Sequence, residues 1–194
     1  MENIINDNSL FDKKNFRNKL KKTKEPLFLF KKTLKNGYGY LTECFIPGKN
    51  IELLVKKQTW FIDQLIISAW KIFFETDELC LVAVGGYGRS ELLLGSDIDL
   101  MILIKPRKKN KHKKQLELFL TFLWDFGLEV GHSVRTTKEC QNEAKKDITT
   151  MTNIMEARCI TGNNVLFEEM RKLTSPKKIW PTSAFYEKKI LEQK

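Results

Sequence analysis

The sequence is poor in histidine, in closely spaced cysteine pairs and in long apolar runs. Its 194 residues include only two histidines, His112 and His132, which argues against a histidine-rich metal site or a phosphohydrolase that needs several histidines. Its four cysteines form no Cys-x-x-Cys pair, so we expect reduced and mostly buried thiols. The cysteines are Cys44, Cys80, Cys140 and Cys159.

No apolar stretch approaches the roughly 18–20 residues that are needed to cross a bilayer. The N-terminus, which begins Met1-Glu2-Asn3, lacks the basic and then apolar layout of a signal peptide. From these two observations we expect a cytoplasmic protein without a membrane partner.

Acidic residues are outnumbered, and the formal charge is +10. Ten Lys or Arg fall between Lys13 and Lys35, and seven fall between Lys105 and Lys114. Such stretches can attract nucleic acid or an acidic partner. Because neither stretch has a heptad or zinc-finger frame and the second has no Phe, Trp or Tyr, a solvated Lys-rich surface is favoured over nucleic-acid binding, which stays an open alternative.

The chain is long enough for one domain with a small annex. Residues 1–35 are polar and basic and indicate a loosely ordered arm with one helical stretch. Glycine and proline between residues 37 and 48 then indicate a connector. We therefore expect an arm and connector over 1–49, a globular domain over 50–175 and the start of a helical extension over 176–194.

Hydrophobic periodicity predicts an α/β (α+β) fold, in which helices pack against a small mixed sheet and the N-terminal arm is helical in part. A capping-box pattern, Thr136 to Glu139, opens one of the helices, and Gly127 is placed to end another. The expected helices cover about 51–74, 113–126, 136 onward, 147–162 and 165–173. The expected strands cover 79–84, 98–104 and 128–135.

A glycine-rich turn follows the first expected strand. Gly85, Gly86 and Gly88 allow positive φ and close approach of the backbone to a ligand, and successive N–H groups in such a turn can bind an anion. Arg89 adds a planar guanidinium that suits phosphate oxygens, and if a short helix started over 89–94 its N-terminus would add further donors. The pattern fits neither the dinucleotide-binding nor the Walker motif.

Two carboxylates start the next strand, with ten residues separating Gly86 from Asp97. Side chains two apart on a strand project from the same face, so Asp97 and Asp99 should point together. Adjacent carboxylates repel unless a cation bridges them, and hard oxygen ligands suit Mg²⁺. The alternative makes Asp97 a turn or capping residue and places Asp99 in a salt bridge.

The glycine turn and the aspartate pair resemble the signature of the polymerase-beta-like nucleotidyltransferases. Three longer strings resemble the bacterial protein-PII uridylyltransferases more closely: Val-Gly-Gly-Tyr-Gly-Arg-Ser-Glu-Leu at 84–92, Gly-Ser-Asp-Ile-Asp-Leu at 95–100, and Leu-Trp-Asp-Phe-Gly-Leu-Glu-Val-Gly-His-Ser-Val-Arg-Thr at 123–136. Glu156-Ala157-Arg158 and the closing residues from Trp180-Pro181 onward add to the resemblance, which spans about 50–194.

This resemblance implies a nucleotidyltransferase that moves UMP from UTP to a tyrosine of the PII signal protein, with Mg²⁺ or Mn²⁺ as cofactor. By motif match, Asp97 and Asp99 would hold the metal. Gly85, Gly86 and Arg89, together with Ser96, would face the triphosphate.

The family also uses a third carboxylate from a later strand. Glu129 is our candidate, since it is the only acidic residue on the expected third strand, and a surface glutamate is an equal alternative. Asp147 is the second choice. The family enzyme continues into hydrolase and glutamine-sensing domains, so the resemblance implies a truncated chain and leaves open a non-catalytic remnant that binds nucleotide or PII.

Overall fold

The computed structural model describes residues 6–93 and 95–179 and has the expected mixed α/β architecture. The strands are β1 (Leu79–Ala83), β2 (Ile98–Ile104), β3 (Val130–Arg135) and β4 (Arg158–Gly162). The helices before β2 are α1 (Lys13–Lys22), α2 (Pro26–Glu43), α3 (Ile51–Phe73) and α4 (Gly85–Gly88). Those after β2 are α5 (Lys109–Asp125), α6 (Thr137–Lys146), α7 (Ile148–Met155), α8 (Asn164–Leu173) and α9 (Pro176–Ile179).

A four-stranded mixed sheet has the order β3-β2-β1-β4. Strand β1 is antiparallel to β2, with Leu79 opposite Ile104 and Ala83 opposite Leu100, and it is also antiparallel to β4. All five β1 residues are buried, which explains the continuous apolar run in its sequence, since a central strand is covered on both faces.

The described residues group into two compact units. Within the described residues, the helical unit comprises 6–75, 90–93, 95–98 and 113–131, and the sheet unit comprises 76–89, 99–112 and 132–179. In the sheet unit, a sulfur-rich core packs residues of β1 and β2 against α6, α7 and α8. This core includes Cys80, Met101, Cys140, Met151 and Met170.

The expectation of loose order in the arm is wrong for residues 13–22 and 26–35, whereas the helical character expected of the arm is confirmed. Helices α1 and α2 occupy residues 13–22 and 26–43, and four of their apolar side chains are buried within the helical unit: Phe16, Phe30, Leu34 and Leu41. Phe30 is fully buried and contacts the rings of Phe16, Phe122 and Phe126 at centroid distances of 5.0–5.1 Å. Burial of these aromatic rings stabilises the two helices enough to order the segment despite its basic composition.

The expected connector at 37–48 is also replaced in large part by helix, because α2 continues through Gly37 and Gly39 to Glu43. Gly37 is buried where the Phe61 ring of α3 comes too close for any side chain. The glycine therefore serves helix packing rather than a turn.

Most expected elements are confirmed near their expected bounds, including α3, β1, β2, β3 and α8. The capping box is present, with the Thr136 side chain accepting from the Glu139 N–H and Glu139 accepting from the Thr136 N–H. Gly127 follows α5 with φ +107°, the left-handed conformation of a helix C-cap.

The helix expected over 147–162 is wrong in its second half. Helix α7 ends at Met155 and residues 158–162 form the strand β4. Gly162 has φ +97°, and a Cβ there would lie 2.6 Å from the Leu79 carbonyl oxygen, so this glycine allows β4 to approach β1. No described helix is long and apolar enough to cross a membrane.

The expected domain bounds of 1–49, 50–175 and 176–194 stay a prediction. Of the extension, residues 180–194, including Trp180 and Pro181, lie outside the described residues.

Candidate functional site

The glycine turn leaves β1 as one short helical turn, α4, and not as a loop. The backbone ladder between β1 and β2 extends by one bond beyond Ala83, since the Val84 N–H donates to the Asp99 carbonyl oxygen at 3.1 Å. Gly85 then has φ +59°, a left-handed conformation that disfavours other residues. Residues 89–93 are not helical, so the condition of a helix that starts at Arg89 is not met.

Gly85 and Asp99 lie side by side at this edge of the sheet. A Cβ built on residue 85 would stand 3.2 Å from Oδ2 of Asp99, a separation that would force the carboxylate to shift. The absence of a side chain at Gly85 therefore leaves room beside an exposed carboxylate. The structure brings together these two residues of the expected site.

Gly88 holds the turn against the end of α7. A Cβ on Gly88 would lie 2.5 Å from the Glu156 carbonyl oxygen and 3.0 Å from that of Ala83. Backbone atoms cannot give way as flexible side chains can, so only glycine allows this approach. Gly86 follows Gly85 within α4.

Arg89, expected to face a triphosphate, has a carboxylate partner. Its Nη1 donates to Oε2 of Glu156 at 2.5 Å, and the two side chains are 43% and 27% exposed. A carboxylate that holds one edge of a guanidinium restricts its orientation. Sequence reasoning assigned no role to Glu156, although the string Glu156-Ala157-Arg158 contributed to the family resemblance.

Tyr87 and Arg158 make a second contact that sequence reasoning missed. The Tyr87 ring is buried, and the Arg158 guanidinium carbon lies 5.5 Å from its centroid. Nη2 of Arg158 also donates to the Tyr87 carbonyl oxygen at 3.4 Å. These contacts fix the turn to the start of β4 through a cation–π interaction.

Ser96 and Asp97 belong to the helical unit, in the turn before β2, and both are exposed. The turn contains Gly95 with φ +80°, and the Ser96 N–H donates to the Leu93 carbonyl oxygen at 3.0 Å. Asp97 therefore lies in a turn, as one of the two alternatives from the sequence expects. Its side chain is exposed.

Glu129, the candidate third carboxylate, immediately precedes β3 and is exposed. Its carbonyl oxygen accepts from the Ile98 N–H at 2.9 Å, so its backbone lies next to the residue that follows Asp97. Burial, with a smaller contribution from the Glu129 charge, raises the pKa of the Tyr38 hydroxyl above its usual value. Asp147, the second choice, caps α7 by accepting from the N–H groups of Thr149 and Thr150.

Among residues 6–93 and 95–179, no three His, Cys, Asp or Glu side chains are close enough together to hold a metal ion. A magnesium ion requires fewer protein ligands, because one or two carboxylates suffice when waters and substrate phosphates complete its shell. Asp99 of the sheet unit offers an exposed carboxylate with space beside it at Gly85, and Asp97 is an exposed carboxylate of the helical unit. Exposed carboxylate oxygens are the donor type that suits a magnesium ion bound together with substrate.

The basic stretch 105–114 is largely paired within the sheet unit. Glu78 accepts from Lys108, Lys111 and the Nε2 atom of buried His112 at 2.6–3.0 Å. Two further pairs join Lys105 to Asp77 and Lys109 to Glu139 at 2.7–2.8 Å. Internal carboxylates thus neutralise much of the charge that could attract nucleic acid.

Comparison with known proteins gives the class of this domain. Residues 66–152 match the nucleotidyltransferase domain family, and this range includes the glycine turn and both aspartates. The chain is 43% identical over 190 residues to the bifunctional uridylyltransferase/uridylyl-removing enzyme of Ectopseudomonas mendocina. It is 41% identical to the enzymes of the same name from Pseudomonas putida and Stutzerimonas stutzeri.

Each of these alignments covers 97% of this chain and 21% of the relative. The chain thus spans about a fifth of the length of the curated relatives that it matches. The match extends through α1 and α2, which lie outside the residues that carry the family motif. Residues 66–152 therefore match a nucleotidyltransferase domain, and the chain as a whole is similar to the N-terminal part of the bifunctional uridylyltransferase/uridylyl-removing enzymes.

Proposed function

We propose that this chain transfers UMP from UTP to a tyrosine hydroxyl of the PII signal protein. The support is the nucleotidyltransferase domain at 66–152, the uridylyltransferase name of the relatives and the resemblance of residues 84–136 to the protein-PII uridylyltransferases. The observation that carries the proposal is the position of Gly85 beside Asp99, where a side chain at residue 85 would crowd the carboxylate.

In this proposal Asp97 and Asp99 hold Mg²⁺ or Mn²⁺. When bound, the metal neutralises charge on the triphosphate and on the leaving pyrophosphate. Both carboxylates are exposed and belong to one chain segment, two residues apart. Their accessibility supports the role, because substrate phosphates must share the metal with them.

The glycine turn and Arg89 position the triphosphate. Gly85 and Gly86 let the backbone approach phosphate oxygens without a side-chain collision. Arg89 offers a guanidinium whose orientation is restricted by Glu156, and the Ser96 hydroxyl is a further donor. In the reaction the tyrosine oxygen bonds to the α-phosphorus while the bond to pyrophosphate breaks, so positioning and charge supply the catalysis.

A non-catalytic module that binds nucleotide or PII is the second candidate. The chain covers only 21% of the length of the relatives. This favours the second candidate, because parts of those proteins outside the match could be needed for turnover. Both candidates use the same turn, and they differ in whether product forms.

The test is incubation of the chain with UTP, Mn²⁺ and PII, followed by intact mass measurement of PII. A mass gain of one UMP is expected, and Asp97→Asn combined with Asp99→Asn should abolish it. The matched control is Asp125→Asn, which removes an exposed carboxylate at the end of α5. The control should transfer UMP at the wild-type rate.

The outcomes separate the two candidates and the nucleotide. No mass gain with UTP binding intact would leave only the binding module. A gain of AMP when ATP replaces UTP, at equal rate, would contradict selectivity for uridine. No binding of either nucleotide with Mn²⁺ would overturn the proposal for this chain.

A further inference from the structure

Two cysteine thiols face each other across the edge of the sheet. Cys80 lies on β1 and Cys159 on β4, and their Sγ atoms are 3.5 Å apart. Both residues belong to the sheet unit, and the glycine turn does not use them. Neither thiol forms a disulfide, since all four cysteines are free.

The strand pairing directs the two side chains toward each other. Cys159 is directly opposite Val82, and Cys80 precedes Val82 by two residues, so the two cysteines are diagonal neighbours on one face of the sheet. The register shifts between Leu81 and Val82, and β4 is the outermost strand. A bulged edge strand pairs with one neighbouring strand only, so its backbone can adjust more easily than the backbone of a central strand.

The two thiols differ in access and in acidity. Cys80 is fully buried, whereas Cys159 is partly exposed. The hydrogen bond from Cys80 lowers the pKa of Cys159, partial burial opposes this, and the Arg158 charge adds to the lowering. The same hydrogen bond and burial raise the pKa of Cys80. An accessible thiol of lowered pKa beside a second thiol is the arrangement of peroxide-sensitive cysteine pairs.

We propose that Cys80 and Cys159 form an oxidative modification site, at which hydrogen peroxide converts the thiol pair into a disulfide between β1 and β4. The Cys159 sulfur attacks peroxide, the O–O bond breaks, and a sulfenic acid and one water form. The Cys80 sulfur then attacks the Cys159 sulfur, the S–O bond breaks and a second water leaves with the Cys80 proton. Two thiols and one peroxide thus give one disulfide and two waters.

The cross-link joins the edge strand to the strand that leads into the glycine turn. Cys80 precedes Gly85 by five residues, and Cys159 follows Arg158, which contacts Tyr87. Forming the bond requires the sulfur atoms to move from 3.5 Å to about 2.0 Å. This movement is small enough for side-chain rotation together with adjustment at the bulge.

The test treats the reduced full chain with hydrogen peroxide and then alkylates it under denaturing conditions. The chain should lose two of its four thiols and two hydrogen atoms in mass, and reductant should restore both. Peptide mapping should find residues 80 and 159 in one cross-linked peptide. Cys80→Ala should leave a dimedone-reactive sulfenic acid on Cys159, whereas Cys159→Ala should leave Cys80 unlabelled.

The matched control is Cys140→Ala, which removes an equally buried thiol that contacts Met101. This variant should cross-link as the wild type does. Four free thiols after peroxide treatment would overturn the proposal, and so would a disulfide that involves Cys44 or joins two chains. Dimedone labelling of Cys80 in Cys159→Ala would overturn the assignment of Cys159 as the attacking thiol.

Discussion

Gly85 and Asp99 meet where β1 ends and β2 begins, at a distance that leaves little space for a side chain on residue 85. A Cβ there would lie 3.2 Å from Oδ2 of Asp99, and the backbone has φ +59°. Conformation and contact thus both favour glycine at this position beside the carboxylate. This relationship connects the glycine-rich turn of the sequence to the second aspartate of the motif.

Replacing Gly85 by alanine should weaken UTP binding in the presence of Mn²⁺ by about tenfold or more, a loss of about 1.4 kcal/mol or more. The methyl group would displace the Asp99 carboxylate from its present position. Left-handed backbone strain should also lower stability by about 1–2 kcal/mol. Isothermal titration with UTP and urea unfolding measure the two effects.

Gly48→Ala is the matched control for this variant. Gly48 has φ +74°, and a Cβ there would meet nothing within 4 Å. It should therefore lower stability by a similar amount and leave UTP affinity unchanged. Equal affinity losses in both variants would show that backbone strain, and not the Asp99 contact, explains the result.

The elements that the sequence predicted are those whose signal is local. Strand β1 is apolar in every residue because both of its faces are covered, and the Thr136 capping box needs only four consecutive residues. Strand β4 was missed because its signal is not local. It is short, only partly buried at the sheet edge and paired with a strand about 80 residues earlier in the chain.

In the candidate site, too, the sequence predicted the local features and missed a contact between distant residues. The spacing of Gly85, Asp97 and Asp99 could be read directly from the sequence, and the structure gives the Gly85–Asp99 contact. The ion pair of Arg89 with Glu156 spans 67 residues, and no periodicity or motif spacing reports such a pair. The roles of Asp97, Asp99 and Glu129 stay predictions.

Two glycines of α2 should respond oppositely to alanine. A methyl group on Gly37 would overlap the ring of Phe61, which is fully buried and contacts Phe11, so Gly37→Ala should destabilise by about 1–3 kcal/mol. Gly39 is exposed and has nothing within 4 Å of a built Cβ. Gly39→Ala should stabilise by up to about 1 kcal/mol, because alanine favours helix.

Urea unfolding of both variants gives the measurement. The pair tests whether α2 packs against α3 as the structure describes. If residues 26–43 were a loose arm, both substitutions would have small effects of the same sign. A destabilised Gly39→Ala would contradict a regular helix at that position.

Arg89→Ala should reduce UTP affinity by about tenfold, since a guanidinium contact to phosphate is lost. Stability should change by at most about 1 kcal/mol, because the Arg89 and Glu156 side chains are 43% and 27% exposed. Lys56→Ala, which removes the cation of an exposed pair with Glu52 in α3, is the control. It should match the stability change without any loss of affinity.

Glu156→Gln tests the orienting role of the carboxylate. The Arg89 charge remains while its partner is weakened, so we expect UTP affinity to fall by less than in Arg89→Ala. Filter binding of UTP over a range of salt concentrations can rank the UTP affinities of the wild type, Glu156→Gln and Arg89→Ala. If Glu156→Gln bound UTP more weakly than Arg89→Ala, Glu156 would have a role beyond holding Arg89.

Glu78 should make the stability of the chain fall in acid. Hydrogen bonds from Lys111, His112 and Lys108 lower the pKa of Glu78 from 4.5 to about 2. A carboxyl group whose pKa is lower in the folded state stabilises that state above its unfolded pKa. This contribution is complete above about pH 4.5 and is lost as the pH falls toward 2.

Glu78→Gln should therefore lower the urea midpoint at pH 7, and the difference from wild type should shrink between pH 4.5 and pH 2.5. Glu52→Gln is the control, because Glu52 is largely exposed and its pKa is lowered by Lys56 alone among side chains. Its difference from wild type should be smaller at every pH. A Glu78→Gln difference that is constant from pH 7 to pH 2.5 would show that the three cations do not act through the Glu78 charge.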